Sequence, residues 1–382
     1  MTPTVLIIAG ENSGDKYGAG LVRAFKSVRP EVTFFGIGGP GLAETGLERL
    51  HPMDALSMVG LVEVVARLPR LLSILKSVTR AADSRRPAAA VLIDAPDFNL
   101  RLARRLRRLG IPVLYYVSPT VWAWRPGRLK TIKRNVRKML LIFPFEQEIY
   151  QRAGIPHAYV GHPLQDKVRA SRDRESFFVE HDLDRRRPLV VLLPGSRTGE
   201  VRRHLPVLGP AAARIRTELG ASCVIVRAES VAERTIRTAW PGGIELPPVI
   251  PAPGYDAMAA ADLVLSSCGT ANLEAALLGT PFVAFYRISP LTYLLGKPFV
   301  RIGRYSIVNI LAGRTVVPEL IQNGFTPETV FSEARRLLES EAERTRVREE
   351  LGRIAALMKV ENPSANAARE LAVLLDEIAP GP

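Results

Sequence analysis

The sequence predicts an α/β protein built as two domains, each a parallel sheet with helices on both faces. Three observations predict it. The chain has 382 residues, more than one ordinary domain holds. Short apolar runs alternate with amphipathic stretches from the start, the rhythm of strands joined by crossover helices. That rhythm breaks over a charged stretch, Gln165 to Arg187, and restarts at PLVVLLPGSR, Pro188 to Arg197. The expected organisation is a first domain over 1–164, a linker region over 165–187, a second domain over 188–360 and a C-terminal helix over 361–382. Two such domains in tandem leave a cleft between the C-terminal ends of their strands, where open α/β sheets bind ligands.

Each element has its own signal. Thr4 to Ala9 is apolar and runs into a glycine turn, as a buried first strand does; it lacks the basic leader of a signal peptide, so the protein is expected to stay in the cytosol. Val32 to Ile37, Ala89 to Ile93, Val113 to Val117, Met139 to Phe143 and Ala158 to Val160 continue the series. The second series runs through Cys223 to Arg227, Leu263 to Ser266 and Pro281 to Tyr286. From about Pro327 the pattern is helical, with Pro363 expected to start the last helix.

Composition narrows the function. With 47% hydrophobic and 24% charged residues the chain is globular, and no apolar run reaches the roughly 20 residues that cross a bilayer. Cys223 and Cys268 are the only two cysteines, too few for a disulfide framework or a Cys-based zinc site, and the five histidines show no ligand spacing, so no metal is expected. The net charge is +14 and clustered. In Arg101 to Gly110, Leu102, Leu106 and Leu109 share one helical stripe while Arg101, Arg104, Arg105 and Arg108 take the other; Lys130 to Lys138 is a second cluster. Both can be solvated outer faces or can draw the protein to an anionic surface. No RNA- or DNA-binding motif accompanies the charge, which favours a membrane over nucleic acid.

Three loops carry candidate chemistry. AGENSGD, Ala9 to Asp15, joins the first strand to a helix expected near Lys16. It lacks the GxGxxG spacing of a dinucleotide site. Ser13 and Asp15 can be plain N-caps or substrate contacts, whereas Glu11 precedes the cap region and adds nothing to it. In VLIDAPDFN, Val91 to Asn99, Asp97 and Asn99 precede a helix-forming run and suit capping, and Asp94 closes the strand with no structural duty, which makes it the candidate general base. Trp122 and Trp124, in the TVWAWR that follows the next strand, can be packing residues or stacking platforms. In the second domain, PGSR (Pro194 to Arg197) resembles an anion-binding turn in which Gly195 lets the backbone approach and Arg197 offers a forked donor. Gly269 and Thr270 stand at a helix start with Glu274 four residues on. Their N–H groups could hold a diphosphate and Glu274 a ribose, or Thr270 could be an ordinary cap and Glu274 a solvated helix residue.

Taken in order, AGENSGD, GIGGPGL (Gly36 to Leu42), MVGLVEVVARLPRLL (Met58 to Leu72), IDAPDFN, YVSPTVWAWR, FPFE (Phe143 to Glu146), VGHPLQD (Val160 to Asp166), LLPGSR, GTANLE and VNILAGRTVVPELIQ (Val308 to Gln322) resemble the landmarks of the lipid-A-disaccharide synthases. The resemblance covers nearly the whole chain. Departures are small: Asn12 stands at a variable position, Cys268 where a small residue such as serine is common, and Arg301 to Arg304 is unusually basic.

The resemblance implies a GT-B glycosyltransferase with two Rossmann-like domains facing a central cleft, acceptor on the N-terminal domain and UDP-sugar donor on the C-terminal one. It implies transfer of 2,3-diacylglucosamine from its UDP derivative to 2,3-diacylglucosamine 1-phosphate, giving the β-1,6 disaccharide and UDP with inversion, at the cytoplasmic face of the inner membrane. By motif position Asp94 is the general base, Arg197 the diphosphate ligand and Glu274 the nucleoside contact, while Glu11, Ser13 and Asn309 line the site. Because Arg197 and helix N-termini can neutralise the leaving diphosphate, no divalent metal or other cofactor is required. The segment Met58 to Leu72, apolar but for Glu63, Arg67, Pro69 and Arg70, can be a core helix or a surface that dips into the bilayer. The alternatives are a GT-B-fold UDP-sugar epimerase, which needs no lipid acceptor, and a non-catalytic peripheral membrane protein.

Overall fold

The computed structural model describes residues 3–56, 61–123, 125–296 and 303–378. The chain divides into two compact units, one formed by Met1–Gln165 with Met358–Pro382 and a short piece near 300, the other by Asp166–Lys297 with Ile302–Leu357.

The first unit runs β1 (Thr4–Ala9), α1 (Asn12–Lys26), β2 (Thr33–Gly38), α2 (Pro40–Ala43), β3 (Glu48–Pro52), α3 (Leu61–Arg85), β4 (Ala89–Ile93), α4 (Pro96–Arg108), β5 (Val113–Tyr116), α5 (Arg128–Asn135), β6 (Lys138–Leu141), α6 (Glu146–Arg152) and β7 (His157–Tyr159). Its seven strands are parallel in the order β3-β2-β1-β4-β5-β6-β7. Alternation along β1 sends Leu6 and Ile8 into one core and Val5, Ile7 and Ala9 into the other, so both faces of the sheet are covered.

The second unit runs α7 (Arg174–Glu180), β8 (Leu189–Leu193), α8 (Thr198–Glu218), β9 (Ser222–Arg227), α9 (Glu233–Ala239), β10 (Val249–Pro251), α10 (Tyr255–Ala260), β11 (Leu263–Ser267), α11 (Thr270–Leu277), β12 (Phe282–Tyr286), α12 (Pro290–Gly296), α13 (Ile307–Ala312), β13 (Glu319–Ile321), α14 (Pro327–Glu339) and α15 (Glu341–Met358). Its six strands, also parallel, lie in the order β10-β9-β8-β11-β12-β13. The stretch 165–187 is more than a linker: α7 buries Phe177 and Phe178 in this unit's core, and Asp173 caps the helix by accepting from the Ser176 N–H at 2.8 Å.

The last helix, α16 (Pro363–Ile378), belongs to the first unit. Ala367, Leu371, Leu374 and Leu375 enter the same core as α1, and Lys138 and Arg29 pair with Glu370 (2.6 Å) and Asp376 (2.5 Å) of that helix. Among the described residues no helix is long and apolar enough to cross a membrane.

Candidate active site

In the first sheet the connections leave β1 and β4 toward opposite sides, so the loops after these neighbouring strands open a crevice at the carboxyl edge. Glu11 to Ser13 and Asp94 stand on those two loops. Helix α1 starts at Asn12, four residues before the expected position, because Glu11 itself occupies the N-cap position (φ −143°, ψ 160°) while its exposed carboxylate makes no cap bond. Ser13 is half-buried in the first turn, and neither it nor Asp15 is a cap. Asp15 is buried and accepts from the N–H groups of Gly39 (2.7 Å), Gly41 (2.8 Å) and Leu42 (3.1 Å), anchoring the start of α2. Through these bonds it joins AGENSGD to GIGGPGL.

After β4 the chain turns sharply: Asp94 and Ala95 take positive φ of 47° and 42°. The turn is held from beneath. The Asp94 N–H donates to the Tyr116 carbonyl (3.0 Å), and the Asp94 carbonyl accepts from the Asn99 amide (2.8 Å) and the Tyr115 hydroxyl (2.6 Å). Burial, then the charge of Asp94, holds the Tyr115 phenol well above its usual range, so it remains a donor. Gly10 completes the fit, since a Cβ there would lie 2.8 Å from that of Ala95. The Asp94 side chain is left half-buried at the crevice.

Neither Asp97 nor Asn99 caps α4. Pro96 starts the helix, which puts Ala95 at the cap; Asp97, one position further in, pairs with Arg125 (3.1 Å) and Arg128 (2.6 Å), and Asn99 is fully buried under the turn. Half-buried Trp122 donates its indole N–H to Glu146 (3.3 Å) and sets its ring edge-on to Phe145 at 5.3 Å; Trp124 lies outside the described residues.

The second unit repeats the plan, with its crevice at the ends of β8 and β11. Gly195 has φ 127° and a Cβ there would meet the Glu200 carboxylate at 2.8 Å. Arg197 occupies the N-cap position of α8, half-exposed, and one guanidinium nitrogen donates to Glu200 at 3.1 Å. Glu200 also accepts from the Ser196 N–H (3.2 Å) and the Tyr286 hydroxyl (3.1 Å), which fixes the carboxylate that holds this guanidinium nitrogen. Sequence reasoning missed Glu200, although its i+3 spacing from Arg197 on a helix is the signal that reveals it. Gly269 takes the N-cap position of α11, with no side-chain cap, and exposed Thr270 is the first helical residue rather than the cap. Beneath them Asn272, fully buried, donates to Ser266 Oγ (2.9 Å) and the Ser267 carbonyl (3.1 Å), as Asn99 does under Asp94. Glu274 is half-buried and accepts from the Tyr255 hydroxyl at 3.4 Å.

Asn309 is held from within the second unit. It is fully buried, its amide donates to the Val317 carbonyl (2.8 Å) and Glu319 (2.7 Å), and its oxygen accepts from the N–H groups of Val316 (2.7 Å) and Val317 (3.0 Å). Every polar valence is spent inside the unit. Among the described residues no three His, Cys, Asp or Glu side chains gather as a metal cluster.

Two doubly wound parallel sheets, each with polar groups at its switch point, define the GT-B class of α/β enzymes. Solved structures agree: the chain is similar to the kitacinnamycin glycosyltransferase (TM-score 0.65, 14% identity, covering 98% of this chain and 100% of that one). It is also similar to the UDP-GlcNAc 2-epimerase of Neisseria meningitidis (TM-score 0.62, 11% identity, 99% and 100%). At those identities the likeness is one of fold. Residues 5–374 match the model of the lipid-A-disaccharide synthetase family. Lipid-A-disaccharide synthases of Myxococcus xanthus (43% identical, 88% of each chain) and Solibacter usitatus (43%, 92% of each) are similar over nearly the full length. The chain belongs to the lipid-A-disaccharide synthase family and is a glycosyltransferase of lipid A biosynthesis.

Proposed function

We propose that this chain transfers 2,3-diacylglucosamine from UDP-2,3-diacylglucosamine to the 6-hydroxyl of 2,3-diacylglucosamine 1-phosphate, with inversion, at the cytoplasmic face of the inner membrane. The acceptor is held by the first unit and the donor by the second. As the acceptor O6 forms its bond to the donor C1, its proton passes to the Asp94 carboxylate. The electron pair of the breaking C1–O bond stays with the β-phosphate of UDP. Arg197 and the N–H groups around Gly269 and Thr270 take up that charge, and Glu274 accepts from the ribose. Glu11 and Ser13 contact the acceptor from the loop after β1.

The observation that carries this reading is the turn after β4. Two residues in an unfavourable backbone region are held by Asn99 and Tyr115 so that one carboxylate is presented at the switch point. Membrane association is supported by exposed Leu68 and Leu72 at the start of α3, 40% and 45% accessible, and by the exposed arginines of α4. The part of that apolar segment before Leu61 lies outside the described residues.

UDP release assayed with and without the diacylated acceptor tests the assignment. Release that needs the acceptor, with a disaccharide 1-phosphate product, supports it. A C2-epimerised UDP-sugar formed without acceptor overturns it in favour of the epimerase reading.

A further inference from the structure

Four sequence landmarks take no part in the reaction described above: Tyr17 after AGENSGD, Trp122 in SPTVWAWR, Glu146 in FPFE and His162 in VGHP. In the first unit they meet. Ring contacts run from Trp122 to Phe145 (5.3 Å), Phe145 to Phe143 (5.8 Å), Phe143 to His162 (5.3 Å) and His162 to Tyr17 (5.7 Å). At the head of this row Glu146 is 1% exposed. Its two oxygens accept from the Trp122 indole and the Phe143 N–H, each at 3.3 Å. The buried Ser118 hydroxyl donates to the Pro119 carbonyl (3.0 Å) and lies 2.7 Å from the Tyr150 hydroxyl.

The segment that Glu146 grips is tied to Asp94 at one end and to its neighbour Asp97 at the other. It leaves β5 at Tyr116, whose carbonyl accepts from the Asp94 N–H. It ends at Arg125, which pairs with Asp97 three residues beyond Asp94. A buried carboxyl is costly to keep ionised, and this one spends an oxygen on the Trp122 indole of a segment whose Ser118, Val121 and Ala123 are themselves buried. We propose that Glu146 is a positioning residue for the acceptor, fixing residues 118–123 and the Trp122 indole beside the Asp94 turn. This rests on the reading that the first unit takes the acceptor.

Glu146 also gives the hold a pH dependence. Burial pushes its carboxyl up to about 7, against the pull of the bonds from Phe143, Ser118, Trp122 and Ile142. The titratable groups facing it are Tyr150 on its own helix and Tyr159 on β7, with His162 one ring further on, while the segment presents the neutral Ser118 hydroxyl and Trp122 indole. Burial pushes Tyr150 and Tyr159 upward and His162 down to about 3, so all are neutral at neutral pH. A carboxyl raised from an open-state value near 4.5 favours the closed segment most below pH 4.5. That advantage is lost as pH climbs to about 7 and stays level above it.

The test uses the full chain and two readouts. The difference in tryptophan emission between the protein and Trp122→Phe should titrate with a midpoint near 7, and the titration should vanish in a Glu146→Gln background. Emission that titrates equally in both backgrounds, or in neither, overturns the proposal. Glu146→Ala should raise the acceptor KM about tenfold and leave the donor KM within about twofold, with Glu146→Gln restoring the acceptor KM to within about threefold. Equal rises in both KM values, or no rescue by glutamine, also overturn it. If Glu146→Ala does not fold, Trp122→Phe carries the same KM comparison. If emission behaves as expected while only the donor KM moves, Glu146 still holds its segment and it is the assignment of the acceptor to the first unit that fails.

Discussion

Positive φ at two successive residues without glycine, Asp94 and Ala95, stores backbone strain of order 1–3 kcal/mol per residue, and three hydrogen bonds to the Asp94 backbone offset it. Asp97 has a different employment, an exposed pairing with Arg125 and Arg128 worth at most about 1 kcal/mol. Asp94→Asn should therefore lower turnover by roughly 100-fold or more with melting temperature and donor binding unchanged, while Asp97→Asn stays within about tenfold. Disaccharide formation and nucleotide affinity measured on both variants decide it, and the reverse ranking would move the base to Asp97. Asn309 makes the opposite case. Its four internal bonds mean that Asn309→Ala strands buried N–H groups at about 1–3 kcal/mol each. A melting point lowered by several degrees with an unchanged donor KM is expected; a stable variant with weakened donor binding would return Asn309 to the site. The place of Asp94 on the loop after β4 was legible from the strand that precedes it, whereas the partners of Asn309 and Asp15 were not, because a polar residue in a marked motif gives no sign that its partners are backbone groups elsewhere along the chain.

At the scale of elements, the central strands were legible and the edges were not. β4 and β8 are continuous buried runs of aliphatic residues, and β1 and β11 carry such a run beside a threonine or two serines. β3 reads ERLHP and is mostly exposed, and β10 and β13 are three residues each, so none presents an apolar run to detect. Pairing with an already placed neighbour makes them strands, and that is not a property of their own sequence. Helix α16 was legible as a helix but not as part of the first unit, since the side it joins depends on which apolar face lacks cover. Leu371 is fully buried there, so Leu371→Ala should cost about 2–5 kcal/mol. A urea titration followed through the emission that Trp122→Phe removes should show the loss as a lower midpoint. An unchanged midpoint would mean that α16 contributes nothing to that core.

For the whole molecule the question is how a chain with net charge +14 would reach the acylated substrates proposed for it. The structure sorts the basic clusters. In α4 the leucine stripe is turned inward as expected, with Leu102 and Leu106 buried and Arg101, Arg104 and Arg108 exposed. In the second cluster Arg137 and Lys138 pair with Glu377 and Glu370 of α16, while Lys130, Lys133 and Arg134 are exposed, with Lys133 donating to the Ala153 carbonyl. Each such residue near an anionic leaflet contributes about 1 kcal/mol, and salt weakens it once the Debye length falls below roughly 8 Å. Exposed Leu68 and Leu72 contribute instead through apolar burial, which salt does not weaken. Replacing Arg101, Arg104, Arg108, Lys130 and Arg134 with glutamine should remove most binding to anionic vesicles at low salt and little of the binding to neutral ones. Leu68→Asp with Leu72→Asp should lower both. Co-sedimentation across a salt series separates the two contributions. Wild-type protein that binds neutral and anionic vesicles equally at low salt would make the arginine and lysine clusters solvated faces and leave the leucines of α3 as the anchor.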